Sequence, residues 1–135
     1  MARAFEDYDT FAREEGVVTK KKFGYTTGAG STVTQTTNRA TAVTINALSG
    51  QITTDSTSLA AEASAKFTVN NTYVDATDVV VVNFSGAVGL NTDVVVSDVA
   101  TDSFELTVVN NNAAAGTAET GAIVINFAVI KAVSS

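Results

Sequence analysis

The residue types that most often carry out chemistry in proteins are missing from this 135-residue chain. It contains no histidine and no cysteine, and it also lacks tryptophan and proline. Without imidazole or thiol groups, the chain has no general base that titrates near neutral pH, no thiolate nucleophile and neither of the usual ligands of zinc and copper. Any catalysis would have to use carboxylates, lysines and hydroxyl groups.

The most closely spaced carboxylates that could work together are Asp98, Asp102 and Glu105. Paired carboxylates can hydrolyse glycosidic bonds, but such a site needs aromatic walls for the sugar rings, and the chain has only three tyrosines. A serine activated by Lys66 or Lys131 stays formally open, although nothing in the sequence places either lysine beside a serine. We therefore expect the protein not to be an enzyme.

Several aspartates lie in or beside predicted turns, where their oxygens could serve as calcium ligands. None of them has the D-x-D-x-D spacing of a calcium loop, and aspartate is favoured at turns for conformational reasons. The glycine-rich stretch 24–30 lacks the lysine and the helix of a phosphate-binding loop. We therefore predict no metal and no cofactor. The turn aspartates are Asp75, Asp78, Asp93, Asp98 and Asp102.

Charge is distributed unevenly along the chain. Residues 1–39 carry six basic and five acidic groups, whereas residues 40–135 carry two basic and nine acidic groups, which gives +1 and −7 and a total of −6. An acidic body repels phosphate backbones, so we predict no nucleic-acid binding. The sequence also predicts no secretory leader and no membrane span, and the absence of cysteine suits assembly in a reducing cytoplasm.

Residues 1–22 differ from the remainder of the chain and are predicted to form an N-terminal arm. Phe5, Tyr8 and Phe11 stand among many charged residues, and the lysine triplet 20–22 follows. Three alternatives remain open for the arm: a short amphipathic helix, a disordered terminus, and a segment that becomes ordered when its aromatic side chains dock onto a partner. The lysine triplet could contact a partner or act as a solvated edge that discourages aggregation.

Residues 23–135 are predicted to form one all-β domain. Apolar and polar residues alternate in about eight short segments separated by turns, which is typical of an antiparallel β-sandwich, either Ig-like or a jelly-roll Greek key. Gly50 is expected to interrupt the alternation, and stretch 55–63 is expected to be a single helical turn or a loop. The sequence Thr-Asp-Val-Val-Val occurs at 77–81 and again at 92–96, which predicts two similar entries from a turn into a strand.

The last predicted strand, 122–131, is apolar on both faces. A strand of this kind is expected either in the centre of its sheet or beneath a neighbouring chain.

Three stretches, 26–35, 47–54 and 124–131, carry a resemblance to a known family. They read TTGAGSTVTQ, ALSGQITT and VINFAVIK, and in this respect the chain resembles small virion proteins of tailed bacteriophages, namely the capsid decoration or cement proteins. The resemblance implies a β-sandwich that binds the outer capsid lattice, commonly as a homotrimer, and braces neighbouring major capsid proteins after assembly in the host cytoplasm. It implies no catalytic residues.

A cement protein needs a rigid sheet scaffold and an extension that reaches a neighbour. The arm could supply the extension, and the two-sided last strand could supply a subunit interface. The predicted capsid contacts are Phe5, Tyr8, Phe11, Arg13, Lys20, Lys21 and Lys22, and the predicted subunit interface is Ile123, Ile125, Phe127 and Ile130.

Two other functions remain open. The chain could be a tail-associated module that binds host-surface glycans, in which case we expect a groove lined by Tyr73 or by loop asparagines. It could also be a generic Ig-like structural domain. A chain that begins at Met1 and ends soon after its last strand favours a free-standing small protein over a module of a long fibre.

Overall fold

The computed structural model describes residues 23–86, 88–89 and 91–133. Within these ranges the chain forms eight strands and no helix, so the all-β prediction is confirmed. The predicted arm, residues 1–22, lies outside the described residues. The strands are β1 (Gly30–Thr34), β2 (Val43–Thr44), β3 (Ser49–Thr53), β4 (Ser64–Asn70), β5 (Val79–Phe84), β6 (Thr92–Ala100), β7 (Ser103–Asn110) and β8 (Val124–Ile130).

The strands form two four-stranded sheets, in the orders β1-β3-β8-β5 and β2-β4-β7-β6. Both sheets are mixed, because β1 pairs parallel to β3 and β2 pairs parallel to β4, while the other pairs are antiparallel. The prediction of a purely antiparallel sandwich is therefore wrong for these two pairs. Parallel neighbours require a crossover connection, and here the chain crosses to the opposite sheet and back between the paired strands.

The core lies between the two sheets and is formed by strands in which buried and more exposed side chains alternate. In β7 and β8 every second side chain is buried, as expected when one face of a strand contacts the core. Phe104 of β7 and Phe127 of β8 meet across the layers with their ring centroids 5.4 Å apart. β8 lies between β3 and β5, so the last strand is central in its sheet. This confirms the first of the two predicted alternatives for that strand.

A buried ion pair fixes the loops at one end of the sandwich, which we call the hub end and define as loops 35–42, 54–63 and 111–123. The side chains of Arg39 and Glu119 are only 4% and 3% exposed, and they pair with each other. Arg39 also donates hydrogen bonds to the carbonyl oxygens of Thr57 and, at 2.6 Å, of Gly121. One guanidinium therefore links all three loops.

Stretch 55–63 belongs to the hub end and contains no helical turn, so the loop alternative is the correct one. Leu59 and Glu119 form an isolated antiparallel bridge with N···O distances of 2.8 Å in both directions. The buried amide of Asn110 donates to the carbonyl oxygens of Leu59 and Thr117 at 3.0 and 3.1 Å. Backbone pairing with a distant loop replaces the local hydrogen bonds that a helical turn would make.

Gly50 lies inside β3 and does not interrupt it, contrary to the prediction from sequence. A Cβ atom at this position would lie 2.4 Å from the carbonyl oxygen of Ser31 on the neighbouring strand. It would also lie 3.0 Å from side-chain atoms of Ile45 and Phe127. Glycine is therefore required here for the close approach of β1 and the core, and not for a turn.

Gly50→Ala is expected to destabilise the fold by about 1–3 kcal/mol, the usual cost of forcing extra volume into a packed site. Gly24→Ala is the matched control, because nothing lies within 4 Å of the Cβ that it would add, and it should leave stability unchanged. Urea unfolding followed by circular dichroism measures both variants. Equal stability of the two would contradict the packing described for β3.

Candidate partner-binding surface

Large hydrophobic side chains are exposed mainly at the end of the sandwich opposite the hub end. Of the eight such side chains that are exposed in the described ranges, six lie here, and we call this surface the apolar end. It consists of Phe23, Tyr25, Tyr73, Val79, Ile130 and Val133. Exposed apolar groups gathered in one region typically mark an interaction site, whereas scattered ones carry no such meaning.

The topology brings these residues together from distant parts of the chain. The end of β8 and the start of β5 are neighbours, and Ile130 is the cross-strand partner of Val79. The hydroxyl of Tyr25 donates a hydrogen bond to the carbonyl oxygen of Val129. The ammonium of Lys131 donates to the carbonyl oxygen of Tyr73 at 3.0 Å. These bonds attach the segment that precedes β1 and the loop that precedes β5 to the end of β8.

Both ends of the described chain lie at the apolar end. Phe23, which directly follows the predicted arm, is 80% exposed, and Val133 is 94% exposed. The first described residue therefore lies beside the most apolar part of the surface.

A small charged cluster lies within this surface. The ammonium of Lys131 is 2.5 Å from a carboxylate oxygen of Asp78 and 2.7 Å from one of Asp75. The side chain of Asp78 is fully buried, whereas that of Asp75 is 66% exposed. The Asp78 carboxylate also accepts hydrogen bonds from the backbone N–H groups of Asp75 and Ala132, at 2.8 and 3.2 Å.

These contacts keep both groups of the cluster charged. Burial by itself raises the pKa of Asp78, but the backbone N–H of Asp75, Lys131 and the backbone N–H of Ala132 together hold that pKa below its ordinary value of 3.8. Hydrogen bonds to Asp75 and Asp78 raise the pKa of Lys131 above 10.5. The carboxylate of Asp78 thereby fixes the loop before β5 to the chain that follows β8.

The outer face of β5 and β8 extends the apolar end along the sheet. Val79 and Val81 of β5 are each 50% exposed, and Ile130 of β8 is 53% exposed. Ala128 is the cross-strand partner of Val81. Farther from the apolar end the same face becomes polar, at Asn83 of β5 and its cross-strand partner Asn126 of β8.

A cleft of about 360 Å³ opens beside Tyr73. Its walls are the glycine-rich segment before β1, the loop between β2 and β3, and the half-exposed ring of Tyr73. Asn46 lines the cleft, and its side-chain oxygen accepts a hydrogen bond from the backbone N–H of Thr72 at 3.0 Å. The cleft thus combines one aromatic face with polar loop groups. It is lined by Gly28, Ala29, Gly30, Ser31, Asn46, Ala47, Leu48 and Tyr73.

The two predicted contact sets have different outcomes: the capsid contacts lie outside the described residues, and most of the subunit interface lies in the core. All seven predicted capsid contacts, from Phe5 to Lys22, lie outside the described residues. Of the predicted subunit interface, Ile123, Ile125 and Phe127 are buried in the core of this chain, at 5%, 0% and 3% exposure. Of the four predicted interface residues, only Ile130 faces outward, where another subunit can contact it.

Of the three carboxylates considered for chemistry, Asp98 and Glu105 are brought together as cross-strand partners on β6 and β7. Glu105 pairs with Lys66 at 2.8 Å, and this contact raises the pKa of Lys66. Asp102 occupies the turn between β6 and β7 with a positive φ of 63°, and its backbone N–H donates to the carbonyl oxygen of Val74 at 2.8 Å. Among the described residues, no group of three or more acidic side chains is arranged to hold a metal ion.

The sequence by itself does not mark Tyr25, Val79 or Val81 as surface residues. The run of four valines at 79–82 carries the available signal, because alternate residues of a strand face opposite sides. In a strand that is apolar throughout, the side chains on the outward face are also apolar. They are then either covered by another element or left exposed to solvent. Here Val79 and Val81 remain exposed.

Comparison of the chain with protein-family models, with curated proteins and with solved structures found no match. In the part of the chain that the structure describes, no helix is long and apolar enough to cross a membrane.

Asp78→Ala is expected to destabilise the protein by about 1–3 kcal/mol near neutral pH, because it removes a buried acceptor and leaves two N–H groups without their partner. The loss should shrink as the pH falls. A carboxyl whose folded-state pKa lies below 3.8 contributes stability above its unfolded pKa and loses it as the pH falls through the folded value.

Asp75→Ala is the matched control, since Asp75 contacts the same lysine from an exposed position. Exposed ion pairs contribute little, so its effect should stay under about 1 kcal/mol. Denaturant unfolding at several pH values measures both variants. A difference between wild type and Asp78→Ala that does not change with pH would contradict the role given to the carboxylate.

Proposed function

We propose that this protein is a structural virion protein that binds the outer surface of a bacteriophage capsid and braces neighbouring major capsid proteins. The observation that carries the proposal is the gathering of exposed aromatic and aliphatic side chains at the end where Phe23, the first described residue, lies. A domain with a single apolar end and an attached extension can contact two neighbouring subunits of a lattice at once. The resemblance in stretches 26–35, 47–54 and 124–131 supports the same role.

The physical basis of bracing is mass action. A protein that binds only the assembled shell stabilises that shell, and the stabilisation grows with its free concentration relative to Kd. Such a protein must itself stay rigid when bound. The buried Arg39–Glu119 pair and the strict alternation of β7 and β8 provide that rigidity.

In the same proposal, the sandwich belongs with the jelly rolls and not with the Ig-like domains. Consecutive strands cross from one sheet to the other at every connection except the hairpin between β6 and β7. An Ig-like sandwich has several consecutive strands within one sheet. The frequent crossing between sheets favours the jelly-roll alternative, from which the parallel β1–β3 and β2–β4 pairs depart.

Removing residues 1–16 should leave the domain folded and should weaken its binding to capsids at least about tenfold. Aromatic anchors at the centre of an interface commonly contribute more than 1 kcal/mol each, and 1.4 kcal/mol corresponds to a tenfold change in affinity. Cosedimentation with capsids measures the binding, and thermal unfolding checks the fold.

Two full-length variants provide a second test of the arm and a control. Replacing Phe5, Tyr8 and Phe11 by serine should reproduce the loss. Val95→Ser should bind like the wild type, because Val95 is exposed on β6, away from the apolar end. Undiminished binding of the truncated protein would overturn the role of the arm.

The cleft beside Tyr73 favours a second candidate function, that of a tail-associated module that binds host-surface glycans. Saccharide sites combine an aromatic face with polar groups, and Tyr73 and Asn46 supply both at a cleft of suitable size. Glycan-array binding that Tyr73→Ala abolishes would favour this function. Capsid binding without glycan binding would favour the capsid role.

A further inference from the structure

The edge strand β1 is the least covered strand of its sheet. None of its five residues is buried, whereas β3, β5 and β8 each contain buried residues. Val33 of β1 faces the core, because it is the cross-strand partner of the fully buried Ile52, yet Val33 is only partly buried. The strand of the other sheet on this side, β2, has only two residues. The core beneath β1 is therefore incompletely covered.

The free edge of β1 presents backbone groups that can receive another strand. The N–H of Gln35 donates to the carbonyl oxygen of Thr53, at the continuation of the parallel β1–β3 register. Alternate residues of an edge strand bond to its neighbour, so the even-numbered residues of β1 direct their N–H and carbonyl groups away from β3. In the described ranges, no backbone hydrogen bond outside the β1–β3 pairing involves these residues. They are Gly30, Thr32 and Thr34.

β1 also lacks the usual protection of an edge strand. It reads Gly-Ser-Thr-Val-Thr, without a charged residue, and its pairing with β3 has no register shift. The other edge of the same sheet, β5, lies beside β6, which carries Asp93 and Asp98. Charges and bulges discourage an edge from pairing with another chain. β1 is therefore the edge that is open to such pairing.

The strands on this side of the sandwich carry no exposed charge. Between residues 23 and 54 the single charged residue is Arg39, which is buried, and this stretch supplies β1, β2 and β3. All nine acidic groups of residues 23–133 come after residue 54. A second copy of this acidic domain can therefore approach β1 without placing like charges opposite each other, which is costly at an interface. An approach through β6 would oppose its aspartates.

We propose that β1 pairs antiparallel with β1 of a second copy across a two-fold axis, which joins their sheets into one continuous sheet. The free backbone groups lie symmetrically about Thr32 and so set the register. Thr32 pairs with Thr32 of the second copy, and Gly30 pairs with Thr34 in both directions. The partly buried Val33 is then covered by the second copy's Ser31. Such a contact is isologous and closes as a dimer, and not as the homotrimer that the resemblance implies.

Antiparallel pairing reverses the strands between the two copies, so their apolar ends point in opposite directions. Only one of the two apolar ends can then face a flat shell. The inference therefore concerns the protein free in solution, and it goes beyond the proposed function without depending on it.

Cysteine cross-linking tests the contact directly, because the chain has no cysteine of its own. In the Thr32→Cys variant the two introduced residues lie opposite each other, with Cα atoms about 5.5 Å apart, which a disulfide can bridge. Gln51→Cys is the matched control, because Gln51 is exposed on β3 as the cross-strand partner of Thr32. Its two copies would lie three strand spacings apart, or roughly 14 Å, which no disulfide spans. On oxidation, Thr32→Cys should give a covalent dimer and Gln51→Cys should stay monomeric.

A charge on the edge tests the non-covalent contact. Thr32→Lys places two ammonium groups opposite each other across the axis and should weaken self-association at least about tenfold, because like charges directly opposite destabilise strand pairing. Gln51→Lys carries the same charge one strand away and should associate like the wild type. Sedimentation of the full chain measures the dimer, and thermal unfolding checks the fold of both variants.

Three outcomes would overturn the inference: a covalent dimer of Thr32→Cys no more abundant than that of Gln51→Cys, a strictly monomeric wild type at all concentrations, or equal self-association of the two lysine variants. A monomeric wild type is the result expected if a strand of another protein, and not a second copy, occupies β1. None of these outcomes bears on capsid cosedimentation, which tests the proposed function separately.

Discussion

Arg39 and Glu119 form an ion pair that is almost completely buried, in a domain that has only two other basic residues between positions 23 and 133. Removing one partner of such a pair leaves an uncompensated charge in the interior, which typically costs about 3–5 kcal/mol. Because the same guanidinium bonds to Thr57 and Gly121, it determines how three loops close one end of the sandwich. The hub end is thereby held in one arrangement, whereas the opposite end is fixed by the Asp78–Lys131 pair and by the hydrogen bond of Tyr25.

That division explains where the apolar surface lies. At the hub end, the polar groups of the loops form hydrogen bonds with one another, and few large hydrophobic side chains are exposed. At the apolar end, aromatic and aliphatic groups remain exposed around a compact charged cluster in which Asp78 holds Lys131. A surface built on strand ends and short bonded loops is largely ordered in advance, so a partner that bound there would cost little conformational entropy.

Alternation made the strands and most of the core predictable, because an apolar residue at every second position requires one buried face. It did not fix which residues of a uniform run face inward. The two copies of Thr-Asp-Val-Val-Val show this: Asp78 and Val80 are buried in the first, whereas Thr92 is buried and Val95 exposed in the second. Which alternate residues of such a run face inward is decided by long-range partners such as Lys131, which the local sequence does not reveal. The parallel pairs, the place of Gly50 in β3 and the apolar end likewise depend on strand order.

The central claim is that the apolar end and the arm attach this domain to a capsid, and an electron cryo-microscopy map of the parent particle tests it most directly. The account predicts density for the sandwich on the outer capsid surface, in fixed proportion to the major capsid protein, with Tyr73, Ile130 and the start of the arm directed toward the shell. Density only at the tail, or a sandwich bound with its hub end toward the shell, would contradict the account.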